Sequence, residues 1–314
     1  DAAVVLTVRR PTAEQIKAMV SGTVVAGQMD PFGDTAGLKA MADAGLTVFS
    51  LELMPRITRA QSMDVLSSQS NLAGYKAVID AAATYGRAMP MMMTAAGTVA
   101  PAKVFVMGAG VAGLQAIATA RRLGAIVTAT DVRPAAKEQV ASLGATFIAV
   151  EDDEFREAET AAGYAKEMSA EYRKKQAALV AEHVAGQDIV ITTALIPGRP
   201  APELMNRAMV ESMHPGSVIV DLAVERGGNV ALAKPGKVVR HKGVTIIGHL
   251  NVAGRLAADA SALYARNVFN FFQPLISSET GELAIDWEDE IVTGTLIARE
   301  GALVHPMFSS GDKS

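Results

Sequence analysis

Between residues 103 and 248, short apolar runs rich in β-branched residues alternate with amphipathic helical stretches. The runs are predicted strands at residues 104–107, 125–130, 146–150, 188–194, 217–223 and 244–248. The stretches are predicted helices at residues 111–123, 134–143, 170–184 and 202–213. Continuously apolar strands separated by helices are typical of a parallel sheet that helices cover on both faces. We therefore predict a doubly wound α/β fold.

Two further strand-like runs, residues 3–8 and 46–53, lie near the start of the chain, with a helical stretch at 35–44. Long helical patterns near 62–85 and at 257–272 are predicted to link two Rossmann-like domains, and the tail is expected to return to the first of them. We assign residues 1–64 and 273–314 to a first, partial α/β domain. Residues 65–272, which include the linking helices, form the second domain.

Composition excludes several functional classes. The net charge of −4 comes with no basic patch, which argues against nucleic-acid binding. The chain has no cysteine, so disulfides and thiolate chemistry are excluded, and its five histidines are too scattered to predict a metal site. We expect no membrane span, because the longest charge-free stretch, 104–120, contains glycines and a glutamine. No signal peptide is expected either.

Gly108, Gly110 and Gly113 form a GxGxxG motif directly after a predicted strand and at the start of a predicted helix. The first glycine permits a tight turn, the second allows close approach of a pyrophosphate, and the third allows close packing of helix on strand. The helix, which opens at Val111, presents unpaired N–H groups to the phosphates. The motif predicts a dinucleotide site.

Asp131 ends the following strand, where a carboxylate accepts bonds from both hydroxyls of the adenosine ribose and repels a 2′-phosphate. NAD(H) is therefore the predicted cofactor, with Val132 beside it. Arg133 is able to bind a 2′-phosphate, so the sequence leaves NADP(H) open as the alternative.

The other strand ends are expected to form the floor of the same crevice, since ligands bind at the carboxyl ends of parallel strands. Their candidate binding residues are Thr193, Ala194, Leu195, Glu225 and Asn251. For the strand-end residue His249, a structural hydrogen-bonded role is favoured over proton transfer.

Residues 151–175 are highly charged and interrupt the alternation. They are interpreted either as a solvated helix or as a mobile flap that contains Tyr164.

Residues 54–74, MPRITRAQSMDVLSSQSNLAG, place Arg56 and then Gln61, Asp64 and Ser67 at three-residue spacing. This spacing predicts one helical face that lines a cleft between the domains. Carboxylate and hydroxyl groups suit ribose hydroxyls, and an amide suits a carboxamide. A capped helix start with a solvated face is the alternative interpretation.

Long motifs in this chain resemble the NAD(H)-binding component of proton-translocating nicotinamide nucleotide transhydrogenase, in the superfamily of alanine dehydrogenase. They are MPRITRAQSMDVLSSQSNLAGY, MMMTAAGTVAPAKVFVMGAGVAGLQAIATARRLGA, TDVR, AGYAKEM, DIVITTALIPG and GSVIVDLAVERGGN. The resemblance implies a homodimer that transfers hydride between NADH and NADP⁺, coupled to proton translocation. It also implies an NADP(H)-binding partner domain, a membrane proton-channel domain, and a cytoplasmic location at the face of the inner membrane.

The resemblance also assigns roles to residues of this sequence. Arg56, Gln61 and Asp64, with Ser67 one turn on, match the loop that holds the nicotinamide end of NAD(H), and the glutamine reaches toward NADP(H). Asp131 matches the ribose-binding aspartate, and Tyr164 matches the tyrosine of a mobile loop, which favours the flap. Family members normally have a further segment before the first strand seen here, so the resemblance implies an incomplete first domain with an exposed sheet edge.

The sequence departs from the alanine dehydrogenases at their acid–base groups. Thr7 and Gln28 stand where those enzymes have a lysine and a histidine, and Glu225 matches their aspartate before the glycine pair. Direct hydride transfer between two nicotinamides needs no proton donor. We therefore expect a transhydrogenase. An alanine dehydrogenase-like amino-acid dehydrogenase and a non-catalytic NAD(H)-binding subunit are the alternatives.

Overall fold

A computed structural model describes residues 2–156 and 168–309. The chain folds into two compact units. The first unit contains the chain up to Gln69 and again from Ala257, and the second unit contains Ser70–Leu256. In the described stretches of the chain, no helix combines the length and the apolar character needed to cross a membrane.

The strands of the described residues are short, as is usual for α/β proteins. They are β1 Val4–Arg9, β2 Val24–Gln28, β3 Thr47–Ser50, β4 Met92–Thr94, β5 Gly97–Val99, β6 Lys103–Met107, β7 Ile126–Thr130, β8 Thr146–Phe147, β9 Ile189–Thr192, β10 Val218–Asp221, β11 Lys237–His241, β12 Val244–Gly248, β13 Leu296–Arg299 and β14 Ala302–Leu303.

The α-helices range from one turn to more than five turns. They are α1 Ala13–Ala18, α2 Thr35–Asp43, α3 Val65–Thr84, α4 Val111–Arg122, α5 Ala136–Ser142, α6 Asp153–Arg156, α7 Ala170–Ala185, α8 Arg207–Ser212, α9 Ala257–Phe272 and α10 Glu290–Thr295.

The second unit is built on a sheet with the strand order β11-β12-β10-β9-β6-β7-β8 within the described residues. All pairings are parallel except that of β11 with β12. From β6 the chain proceeds outward through β7 and β8, then returns to β9 on the other side. Parallel α/β sheets bind ligands at such a reversal, here between β6 and β9. The predicted doubly wound α/β fold is confirmed.

The central strand β6 shows why its sequence is apolar without alternation. Val104 and Val106 pack into one hydrophobic cluster, together with Ile117 of α4. Phe105 and Met107 pack into a second cluster on the opposite face. Because helices cover both faces, each residue of the strand is buried, and a continuous apolar run results.

The first unit has its own sheet, in which β1, β2 and β3 pair in parallel. The tail strand β13 pairs antiparallel with β3, and β14 pairs with β13. The rings of Phe49 and Phe271 meet edge-on at 5.5 Å between centroids in the core beneath the sheet. These pairings place the tail in the first unit.

Three predicted elements end early. Residues 51–53 form a 3₁₀ helix rather than the end of a strand. Strand β8 stops at Phe147. Residues 202–206 lie outside helix α8, because Met205 forms an isolated bridge with Val230 and the Asn206 side chain caps the helix by accepting from the N–H of Met209.

Candidate functional site

The turn between β6 and α4 carries the three glycines, each with a different steric reason. Gly108 has a positive φ of 103°, which favours glycine. A Cβ at Gly113 would lie 1.8 Å from the carbonyl oxygen of Gly108, so only glycine allows this helix to approach the strand. A Cβ at Gly110 would meet nothing within 4 Å, which means that its surroundings are open. The turn therefore leaves space beside the helix start where Val111 is 40% exposed.

Asp131 follows β7 and is held beside this turn. Its side chain is 7% exposed. One carboxylate oxygen accepts a 2.7 Å hydrogen bond from the N–H of Ala109, which lies inside the glycine turn. Arg133 forms an ion pair with the same carboxylate at 2.9 Å, and Val132 between them is 63% exposed. The structure thus brings Asp131, Val132 and Arg133 to the end of β7 next to the glycines.

The loop after β9 crosses to the glycine turn at the reversal of the sheet. The hydroxyl of Thr193 donates to the carbonyl of Gly108 at 3.1 Å. The N–H of Ala194 donates to the side chain of Asn229 at 3.0 Å. Leu195 is 54% exposed beside them. The predicted residues after β6 and β9 are therefore neighbours.

Asn229 is a supporting residue that the sequence analysis did not select. It is fully buried, and its amide nitrogen donates to the carbonyls of Ala194 and Pro202 at 2.9 and 2.8 Å. Together with the bond from the N–H of Ala194, these contacts fix the backbone of the loop. The only signal was its place at the end of the motif GSVIVDLAVERGGN.

Asp221 organises the segment after β10. Its buried carboxylate accepts from the hydroxyl of Thr192 and from the N–H groups of Ala223, Asn229 and Val230, at 2.9–3.2 Å. Burial raises the pKa of Asp221, although the three backbone donors oppose that rise. This carboxylate ties the end of β10 to the loop that carries Asn229.

Glu225 and Asn251 lie at the ends of β10 and β12 and contact each other. The N–H of Asn251 donates to the Glu225 carboxylate at 2.5 Å, and Asn251 has a positive φ of 46°. Nearby, burial and the charge of Arg255 lower the pKa of His249. The His249 ring is therefore neutral at pH 7.

In the first unit, the stretch that carries Arg56 and Gln61 is not one helix as predicted. A 3₁₀ helix runs over Thr58–Met63, and α3 begins only at Val65. Asp64 lies between them and accepts from the N–H and hydroxyl of Ser67, at 2.9 and 2.5 Å. Asp64 thus caps α3, as the alternative interpretation proposed, while Arg56 and Gln61 are exposed.

The positions matched to the acid–base groups of alanine dehydrogenases lie at the ends of β1 and β2. The Tyr264 hydroxyl donates to the carbonyl of Thr7 at 2.7 Å. Burial raises the pKa of Tyr264 to about 12. This hydroxyl is fully protonated at neutral pH. Tyr164, the candidate flap residue, lies outside the described residues.

A glycine turn between a buried strand and a helix, with a carboxylate after the next strand, places the second unit in the Rossmann-like class of α/β domains. Residues 77–306 match the family described as alanine dehydrogenase/PNT, C-terminal domain, and residues 1–73 match its N-terminal domain. The chain belongs to this family, and within it is a homologue of the NAD(P) transhydrogenase α subunit.

Similar proteins support that assignment. The chain is 56% identical to the first portion of the divided NAD(P) transhydrogenase subunit alpha of Rhodospirillum rubrum, over 98% of this chain and 82% of the relative. It is 45% identical to NAD(P) transhydrogenase subunit alpha of Cereibacter sphaeroides over 96% of this chain and 58% of the relative. A solved structure of transhydrogenase from Sinorhizobium meliloti shares 64% identity, with a TM-score of 0.87 over 96% of this chain and 81% of that one.

Proposed function

We propose that this chain binds NAD(H) and takes part in direct hydride transfer to or from NADP(H) on a partner domain, coupled to proton translocation. The supporting observation is the glycine turn with Asp131 beside it, in a chain homologous to transhydrogenase α subunits. The nicotinamide supplies the hydride chemistry when it is bound. The protein supplies binding, orientation and exclusion of water.

The residues of the second unit fit a dinucleotide. The open space at Gly110 accommodates a pyrophosphate, and the start of α4 offers backbone N–H groups to its charge. The Asp131 carboxylate is placed to accept from ribose hydroxyls. Thr193, Ala194 and Leu195, with Glu225 and Asn251, would line the rest of the crevice. Leu195 contributes an exposed apolar surface there.

The residues of the first unit would orient the nicotinamide end. Arg56 and Gln61 are exposed, and Gln61 lies in the 3₁₀ helix. Asn267 and Asn270 of α9 both donate to the carbonyl of Ser62, at 2.8 and 3.1 Å, which anchors this short helix. Asp64 and Ser67 orient each other and present their remaining lone pairs to a ribose. We include the flap tyrosine Tyr164 in this proposal from the resemblance alone.

The groups at the dehydrogenase acid–base positions support transhydrogenation. Thr7 and Gln28 have neither the amine nor the imidazole that proton transfer to a 2-oxo acid would use. The neighbouring Tyr264 keeps its proton and uses it to bond the Thr7 carbonyl. Hydride exchange between two nicotinamides requires no such group.

The partners we propose are a second copy of this chain, an NADP(H)-binding domain and a membrane proton-channel domain. The name of the Rhodospirillum rubrum relative, which counts it as one portion of a divided α subunit, supports an assembly of several polypeptides. We place the chain at the cytoplasmic face of the inner membrane, held there by those partners.

Gln61→Asn tests the proposal, because it keeps the amide but shortens its reach by one methylene. A small misplacement of reacting groups costs on the order of a hundredfold in rate, so hydride transfer should fall by roughly ten- to a hundredfold. NADH affinity should change little. The measurements are NADH binding by fluorescence and transfer from NADH to an NADP⁺ analogue with an added NADP(H)-binding domain. Gln139→Asn on exposed α5 is the control. Parallel loss of both quantities, or of neither, contradicts the assigned role.

An assay for amino-acid dehydrogenase activity separates the main alternative. Purified protein with NADH, ammonium and pyruvate should oxidise no NADH above background, since Thr7 and Gln28 replace the acid–base groups. Turnover of even a few per second would be within the ordinary enzyme range and would favour the dehydrogenase. Binding of NADH without transfer to any acceptor would favour a non-catalytic subunit.

A further inference from the structure

The hydrogen bonds of Asp131 fill its carboxylate. Oδ1 accepts from the backbone N–H and from the Nε–H of Arg133, both at 2.9 Å. Oδ2 accepts from the N–H of Ala109 at 2.7 Å and from Nη2 of Arg133 at 3.1 Å. An ionised carboxylate has about four acceptor positions. All of them are therefore used by described residues, two by backbone and two by the Arg133 guanidinium.

Two of these four donors are fixed by the fold. The N–H of Ala109 belongs to the glycine turn, and the N–H of Arg133 belongs to the chain two residues beyond Asp131. The guanidinium donors are on a side chain that is 33% exposed. A vicinal diol that donates two hydrogen bonds to Asp131 must replace two donors. The guanidinium is the group that is able to leave.

We propose that Arg133 is a gate on the ribose subsite. In the free protein its guanidinium occupies the two acceptor positions that the 2′- and 3′-hydroxyls of an adenosine ribose require, and binding of the nucleotide displaces it. The inference rests on the proposed function only in assigning Asp131 to the ribose. It adds that affinity for the diol is a difference between two sets of bonds.

The gate also acts on nucleotide choice. A ribose 2′-hydroxyl has a proton to donate, so it is able to take the place of a guanidinium N–H. A 2′-phosphate is an acceptor and has no donor with which to displace Arg133 from Asp131. Such a ligand meets a closed gate and an occupied carboxylate. Arg133 therefore favours the 2′-hydroxyl form because it is bonded to Asp131, although its charge alone would attract a phosphate.

The test compares ADP with 2′,3′-dideoxy-ADP, which has the same phosphates and base without the diol. For each protein the ratio of the two dissociation constants reports the diol alone, and it cancels the loss of a positive charge near the phosphates. Arg133→Met removes both guanidinium donors and keeps an unbranched side chain. Arg122→Met, at the exposed end of α4, is the matched control. Titration calorimetry gives both constants, and thermal melting checks that each variant is folded.

In Arg133→Met the ratio of dideoxy-ADP to ADP dissociation constants should rise about two- to fivefold over wild type, the range expected for removal of a partly exposed ion pair. In Arg122→Met it should not change. In the wild type, the Nε–H resonance of Arg133 should lose its hydrogen-bonded shift with ADP and keep it with dideoxy-ADP. An unchanged ratio together with an unchanged resonance overturns the gate and leaves the proposed function standing. If neither wild-type ADP nor NADH binds, the proposed function falls as well.

Discussion

At the scale of single residues, buried polar side chains hold together the loops at the carboxyl ends of the strands. Asp221 bonds four donors, and Asn229 bonds the backbone of Ala194 in both directions. Each group is satisfied, which a buried carboxylate or amide requires. The loop geometry therefore depends on the chemical identity of these two side chains as well as on their size.

Asp221→Asn tests this dependence. All four partners donate, so the new amide N–H₂ must face two of them in either orientation, and two hydrogen bonds are lost. We expect a loss of about 2–4 kcal/mol in the free energy of unfolding, measured by urea denaturation. Thr192→Val, which removes one donor, should cost only about 1 kcal/mol. A stability equal to wild type for Asp221→Asn would show that the network contributes little.

At the scale of elements, helix α3 contacts the start of α4 through a glycine. A Cβ at Gly74 would lie 2.1 Å from the carbonyl oxygen of Ala112, in the first turn of α4. This is a backbone contact, which has no flexible side chain to give way. The position of the helix that follows the glycine turn is thus tied to α3.

Gly74→Ala separates packing from helix propensity. Alanine in mid-helix would by itself stabilise the protein by about 1 kcal/mol, so any net loss measures the clash. We expect a net loss of about 1–3 kcal/mol in urea denaturation, together with weaker NADH binding as α4 shifts. Gly86→Ala is the control, because its Cβ would meet nothing within 4 Å. That variant should stay within about 0.5 kcal/mol of wild type or exceed it. Equal behaviour of the two alanines would refute the contact.

The central elements could be predicted from sequence because their signals are local. Strands buried on both faces are apolar at every residue, and Asp131 follows such a strand directly. The β4–β5 hairpin was missed because Met92 and Met93 are exposed and their run has no alternation. The role of Asn229 could not be predicted either. It depends on where Ala194 lies in the fold, 35 residues away along the chain.

At the scale of the whole molecule, the exposed β4–β5 hairpin bears on assembly. Met91, Met92 and Met93 are 59%, 43% and 80% exposed. Contiguous exposed apolar side chains of this kind mark interaction surfaces. Flexible methionine side chains adapt to a partner surface. The hairpin is therefore our candidate contact for the predicted homodimer.

Met93→Lys should shift the protein from dimer to monomer, because a lysine ammonium is costly to bury at an apolar interface. Sedimentation equilibrium over a range of protein concentrations measures the change. Val20→Lys is the control, since Val20 is 54% exposed in the first unit and lies outside the hairpin. A monomeric wild type, or a dimer that Met93→Lys leaves intact, would remove the hairpin from this role.

The two edge strands of the larger sheet have a consequence for aggregation. An unpaired strand edge is a template for β-addition by another chain, and short or charged edges oppose it. At one edge β8 has only Thr146 and Phe147, too little backbone to direct a long ladder. At the other edge, β11 carries Lys237, Arg240 and His241. A partly unfolded population of this domain should consequently be slow to seed fibrils through its sheet edges, even at high protein concentration.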